Sequence, residues 1–140
     1  MRALWGNEAA SFHGKQFDFK EVYSFPKPAQ KAGIPIMIGG YTPAAARRAG
    51  RIGDGFFPLV PDNANAKLKE LIELMRAEAR KHGRNPDQLE VSTGAPAELD
   101  AIKVLEDLGV SRVIRRPPSI VPAELGAGLE KIANTVIAKL

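Results

Sequence analysis

From residue 35 onward the apolar positions fall into two alternating rhythms. Short apolar runs of strand length end in glycine or proline. Each is followed by a longer stretch whose apolar residues recur every three or four positions. "PIMIGG" is the first such run and reads as a buried strand. Thr42 is placed to cap the helix that follows, Pro43 suits its first turn, and "AAARRAGRI" carries it to about Gly53. "DGFFPLVP" predicts a second strand. Asp62, Asn63 or Asn65 is a candidate cap for the longest helix, "AKLKELIELMRAEARKHG". Its Leu68, Leu71, Ile72, Met75 and Ala79 form one stripe, and Gly83 is a suitable stop. "LEVSTGAP" predicts a third strand, followed by a helix through Leu99, Ile102, Leu105 and Leu108 that ends at Gly109. "SRVIRRPP" predicts a fourth, closed by two prolines. The final helix runs from about Pro122, with Leu125, Leu129, Ile132, Val136 and Ile137 on its apolar side.

The segment before residue 35 follows a different pattern. In "SFHGKQFDFKEVYSFPKP" the aromatics Phe17, Phe19 and Tyr23 punctuate short alternating stretches around Gly14, which predicts a hairpin-like insertion. The prolines of "FPKPAQKAGIP" make the rest a connector. The chain thus reads as one α/β domain, with residues 1–34 as insertion and connector and residues 35–140 as four β-α units. Such alternation predicts a parallel sheet with right-handed crossovers. Four units form either a small open sheet or half of a (β/α)8 TIM-type barrel. Both place ligands beyond the carboxyl ends of the strands, so both put the Gly39-Gly40 turn on the functional rim.

Composition narrows the picture. The 140 residues are 44% hydrophobic and 26% charged, an ordinary globular balance. No apolar run reaches the roughly 20 residues that span a bilayer, and "MRALWGNEAASF" lacks a signal-peptide core; the reading is a cytoplasmic protein with no membrane partner. With no cysteine there is no disulfide framework and no thiolate chemistry. The net charge of +4 raises the question of nucleic acid. The basic residues Lys67, Lys69, Arg76, Arg80 and Lys81, however, interleave with Glu70, Glu73 and Glu78 as on a solvated helix face. No nucleic-acid partner is expected.

Candidate chemistry centres on the first β-α turn. Glycine permits close backbone approach, the amides of Gly40, Tyr41 and Thr42 would face outward at a helix start, and the helix dipole there favours an anion. The plainer reading is a turn that needs glycine for its conformation and Thr42 as a cap. On the motif alone the plainer reading is preferred. Arg115 and Arg116 fall at the carboxyl end of the fourth strand, where paired guanidinium hydrogen bonds would clamp a phosphate or carboxylate; the alternative is a pair of solvated rim arginines. Arg47, Arg48 and Arg51 belong on the outer face of the first helix. Asp54 reads as a turn residue and Phe57 as core. His13 sits in the hairpin turn and His82 in a last helical turn, and neither has the spacing of a metal ligand. No catalytic constellation is visible and no metal site is expected.

"ALWGNEAASFHGKQFDF", "PKPAQ", "PIMIGGYTPAAARRAGRIGDGFFP" and "LGVSRVI" together resemble the C-terminal half of the bacterial luciferase-like monooxygenase family, in the branch using FMN or the deazaflavin coenzyme F-420. The resemblance implies a (β/α)8 barrel oxidoreductase whose cofactor phosphate is cradled at Gly39, Gly40, Tyr41 and Thr42. It also gives "DGFF" a place near the cofactor wall, with Phe56 or Phe57 packing inside. The first four strands of the family fold are absent, and with them much of the isoalloxazine and substrate pocket. The chain by itself is therefore expected to be inactive. Two open sheet edges imply a homodimer or association with a missing N-terminal half. The alternative is a non-catalytic half-barrel fragment or remnant that folds by self-association.

Overall fold

Strands of only three to five residues make up the sheet, and each owes its place to the helix that follows it. The structure is a computed structural model that describes residues 1–30, 33–59 and 65–139. Contacts divide the chain into two compact units, Met1–Pro35 and Ile36–Leu140.

In the first unit a short helix α1 (Arg2–Gly6), which hydrophobic patterning does not announce, precedes an antiparallel hairpin of β1 (Ala9–His13) and β2 (Asp18–Tyr23). Gly14 closes the turn by donating to the Phe17 carbonyl at 2.9 Å, and the Phe12 and Phe19 rings meet across the strands at 6.0 Å. A bulge between Ala10 and Phe12 shifts the register. The Lys27 ammonium gathers the start of the unit by donating to the carbonyls of Leu4 at 2.8 Å and Asn7 at 2.6 Å.

The second unit is a four-stranded, all-parallel sheet in the order β3 (Met37–Gly39), β4 (Gly55–Phe57), β5 (Glu90–Gly94), β6 (Arg112–Ile114). Its crossovers are α2 (Pro43–Ile52), α3 (Asn65–Lys81) and α4 (Leu99–Asp107), and α5 (Pro122–Thr135) follows β6. This is the arrangement of half a (β/α)8 barrel. Of the three candidate caps for the longest helix, Asn65 is its first residue; Asp62 and Asn63 lie outside the described residues.

Strand alternation sorts the side chains into two sets. Ile38, Phe56, Val91 and Val113 face the helices, where they join Leu68, Leu71, Ile72, Met75 and Leu105 in one core. The opposite set includes Met37, Gly55, Phe57, Glu90, Arg112 and Ile114. Among these, Arg112 pairs with Glu90 at 2.9 Å, Ser92 donates to Glu90 at 2.6 Å, and Ile114 is 51% exposed. Parallel sheets are ordinarily covered on both faces; among the described residues of this unit, helices pack on one face of the sheet.

Helix α2 lies close against α3 because its inner face is Ala45, Ala46, Ala49 and Gly50. A Cβ on Gly50 would collide with the Met75 carbonyl oxygen. Both ends of α2 are capped. Thr42 Oγ1 accepts from the Ala45 amide at 3.2 Å, Pro43 occupies the first turn, and Gly53 donates to the Ala49 carbonyl at 2.9 Å. The Arg84 guanidinium, which follows the Gly83 turn (φ +68°), donates to the carbonyls of Ala49, Gly50 and Gly53 at 3.3, 2.6 and 2.5 Å. The Gly50 and Gly53 carbonyls lie past the last acceptor of the helix and the Ala49 carbonyl accepts only one backbone bond, from Gly53, so a cation suits this end.

Asp54 holds the amino ends of the strands together. Its carboxylate accepts from the Ile36 amide at 2.7 Å, its own amide donates to the Ile36 carbonyl at 2.8 Å, and its carbonyl accepts from the Glu90 amide at 3.2 Å. The last helix departs from its sequence pattern. Val136 is buried, but Leu125 and Ile132 are only half-buried and Leu129 and Ile137 are exposed, so among the described residues of this unit that stripe is only partly covered.

Arg84→Met keeps the aliphatic stem and removes the three donors; a loss of about 2 kcal/mol in urea unfolding is expected. Thr42→Ala should cost about 1 kcal/mol in the same measurement. Unchanged urea midpoints would show that neither end of α2 depends on these contacts.

Candidate functional site

The four strands all point their carboxyl ends toward one rim, and the glycines of the first turn shape its edge. β3 ends at Gly39, and Gly40 follows with φ +116°, a conformation open to glycine and strained for other residues. The chain then turns through Tyr41, which is 56% exposed, into the cap at Thr42. One sequence-based expectation changes here. The Gly40 amide does not face outward; it donates to the Phe57 carbonyl at 3.3 Å and extends the β3–β4 ladder. Pro43 has no amide proton, and the Ala45 amide is held by Thr42. Among the described contacts the amides of Tyr41, Thr42 and Ala44 are left without a protein acceptor, and the Thr42 hydroxyl still has its proton to donate. The turn therefore offers donors at a helix start, which fits a phosphate.

Next to this turn, a cleft of about 640 Å³ opens beyond β4, β5 and β6, lined by Phe57, Leu59, Gly94, Ala95, Ala97, Ile114, Arg115 and Arg116. Phe57 joins the two places, since its carbonyl holds Gly40 and the residue also lines the cleft. The expectation that Phe57 belongs to the core is corrected accordingly. In "GFF" adjacent residues must face opposite ways, so Phe56 is fully buried among the helices and Phe57 is left half-buried toward the rim. Strict alternation was the available signal. Gly94 and Ile114 were findable by the same count, as the carboxyl-terminal residues of β5 and β6.

Arg115 and Arg116 both reach the cleft. Arg115 Nη1 donates to the Ala97 carbonyl at 3.3 Å, and neither arginine has a carboxylate partner among the described residues. Asp54 lies at the other pole of β4, away from the rim, where it ties the strands together. Arg47, Arg48 and Arg51 are exposed on α2. His13 pairs with Asp18 at 2.9 Å in the hairpin, and His82 approaches Glu78 at 3.2 Å beyond the end of α3. Among the described residues no cluster of three or more His, Asp and Glu side chains could hold a metal ion, and no helix is long and apolar enough to cross a membrane.

Comparison with known proteins places this rim in a family. A sequence model of the luciferase-like monooxygenases matches residues 1–101. An uncharacterised protein of Mycobacterium tuberculosis is 35% identical over 153 residues, an alignment covering all of this chain and 50% of that protein. An F420-dependent glucose-6-phosphate dehydrogenase of Mycolicibacterium gilvum is 35% identical over 92 residues, covering 64% of this chain and 26% of that protein. The fold matches a coenzyme F420-dependent tetrahydromethanopterin reductase from Methanopyrus kandleri with a TM-score of 0.78 at 14% identity, over 99% of this chain and 60% of the other. The chain thus spans about half the length of the first of these relatives and less of the second. The family match extends from α1 through the hairpin and the glycine turn into the helix after β5, and the chain belongs to the luciferase-like monooxygenase family.

Proposed function

We propose that this chain is the C-terminal half-barrel of a deazaflavin- or flavin-dependent oxidoreductase. The turn at Gly39, Gly40, Tyr41 and Thr42 holds the cofactor phosphate, and Arg115 and Arg116 face an anionic part of the bound molecules. The observation that carries the reading is the set of unused amides at Tyr41, Thr42 and Ala44. It lies at the start of a capped helix and is fixed by a left-handed glycine whose own amide locks it to β4. Coenzyme F-420 is favoured over FMN because F420 dependence recurs in the names of the relatives, among them a hydroxymycolic acid dehydrogenase of Mycobacterium tuberculosis that is 35% identical over 102 residues. Such a cofactor supplies hydride exchange; the protein binds it and orients it. The residues here bind the phosphate end, and the strand ends beside them form one wall of the reaction space.

The open sheet face favours a requirement for further barrel units, from a second copy or from a complementary N-terminal half. The competing reading is a remnant that folds and associates without binding cofactor. Titration of the chain with coenzyme F-420 and with FMN, followed by absorbance and fluorescence, separates the two. Sub-millimolar binding weakened at least about tenfold by Gly40→Val supports the cradle. Gly39→Leu, whose Cβ meets no atom within 4 Å, tests the same turn without straining it and should also weaken binding. A folded sample that binds neither cofactor supports the remnant. Sedimentation at micromolar concentration should show a dimer or larger species, and a stable folded monomer would remove the requirement for self-association.

A further inference from the structure

We infer that Thr93, which does not itself line the cleft, is a positioning residue for the rim: its hydroxyl fixes the direction in which β4 leaves the sheet, and with it the Phe57 and Leu59 wall of the cleft. The inference rests on the rim being the binding site and adds the residue that holds this wall in place. Thr93 is out of character with its face of the sheet. Alternation places it with Val91, and it lies in register with Val113 across the β5–β6 ladder. The strand residues Ile38, Phe56, Val91 and Val113 on that side are all apolar. Thr93 is only 3% exposed, so valine would fill the same space without bringing a hydroxyl that has to be satisfied. That hydroxyl donates to the Pro58 carbonyl at 2.9 Å in a buried bond.

The bond stands where the sheet ladder gives out. β4 and β5 pair at Gly55 with Glu90 and at Phe56 with Val91. Two residues further along the two chains stand Pro58 and Thr93. Proline has no amide to donate, so the ladder loses a donor there and the threonine side chain supplies the link. The ring of Pro58 already fixes φ, which leaves ψ as its one soft torsion. Holding the carbonyl oxygen restrains ψ, and ψ sets the course of the chain into Leu59. One residue earlier, the Phe57 carbonyl is held from the other side by the Gly40 amide at 3.3 Å. The end of β4 is thus tied to the β3 side by one carbonyl and to β5 by the next. Phe57 and Leu59, the residues on either side of the pinned proline, both line the cleft. Leu59 is 58% exposed, so little packing of its own holds it there.

Thr93→Val keeps the shape and removes the donor, whereas Thr93→Ser keeps the donor. Amide hydrogen exchange on the whole chain without cofactor, followed by nuclear magnetic resonance, reads the pin at the Gly40 amide, whose acceptor is the Phe57 carbonyl. In Thr93→Val the Gly40 amide should exchange at least about tenfold faster, while the Leu71 and Ile72 amides in the core of α3 change by less than about twofold. Thr93→Ser should return the Gly40 rate to within about threefold of wild type. Coenzyme F-420 should bind Thr93→Val at least about fivefold more weakly than wild type, and Thr93→Ser should recover the affinity. An unchanged Gly40 rate in Thr93→Val would overturn the inference. So would equal acceleration at Gly40 and in α3, which marks a general loss of stability, or a serine variant that behaves like the valine one. Wild-type F-420 affinity in a Thr93→Val chain whose Gly40 exchange has accelerated would overturn it as well. If the wild-type chain binds neither F-420 nor FMN, the cofactor reading falls, and the exchange rates alone decide whether Thr93 holds the wall.

Discussion

Helix α2 lies close to α3 only because four consecutive inner positions carry almost no side chain. Ala45, Ala46, Ala49 and Gly50 bring the α2 backbone against α3, and the contact has no slack: one added methyl at Gly50 meets a backbone oxygen. The rest of the unit follows from that approach. A helix this near its neighbour delivers its N-terminus to the edge of β3, so the Gly40–Thr42 turn and the end of β4 are drawn together. It also delivers its C-terminus to the loop after α3, where Arg84 collects three carbonyls. Removing side-chain bulk in the middle of α2 thereby fixes the positions of chemistry at both its ends.

A protein domain normally hides both faces of a parallel sheet, because the strands have no other way to shield their apolar side chains. Here the helix-facing set is buried and the opposite set mixes apolar, small and paired charged residues. The Glu90–Arg112 pair and the Ser92 hydroxyl satisfy one another without help from outside the chain. That face is adequate in water for a half-barrel and would be equally adequate inside a closed one, where an unpaired charge would be costly. The exposed stripe of α5 has no such accommodation. Leu129 on α5 and Ile137 just beyond it are apolar and exposed among the described residues of this unit, and they mark a side on which barrel closure would have apolar surface to cover.

Much of this was legible along the chain. The order of strands and helices, the Thr42 cap, the stop at Gly109 and the rim position of the glycine turn follow from period, caps and glycine. The four β-α units also narrowed the architecture to two choices, and the family motifs selected between them. What was not legible depended on partners far away in sequence. The role of the Gly40 amide is decided by Phe57, and the clamp on α2 comes from Arg84, 34 residues beyond the Gly50 carbonyl it holds. The exposure of α5 could not be read from its pattern, since an amphipathic stripe states that a helix wants a neighbour and not whether one is present. Helix α1 was missed because five residues are too few for a periodicity to show.

Asp54 and the glycines of the rim occupy opposite ends of the same short strands. At Asp54 three hydrogen bonds cross between strands, and side-chain identity there is tied to keeping the sheet in register. At Gly39 and Gly94 nothing lies within 4 Å of where a side chain would begin. Substitutions at these two positions therefore change the surface of the rim and displace no packed neighbour. The architecture separates heritable change into two nearly independent kinds, so side chains could be added at the rim glycines while the strand register at the other pole stayed as it was.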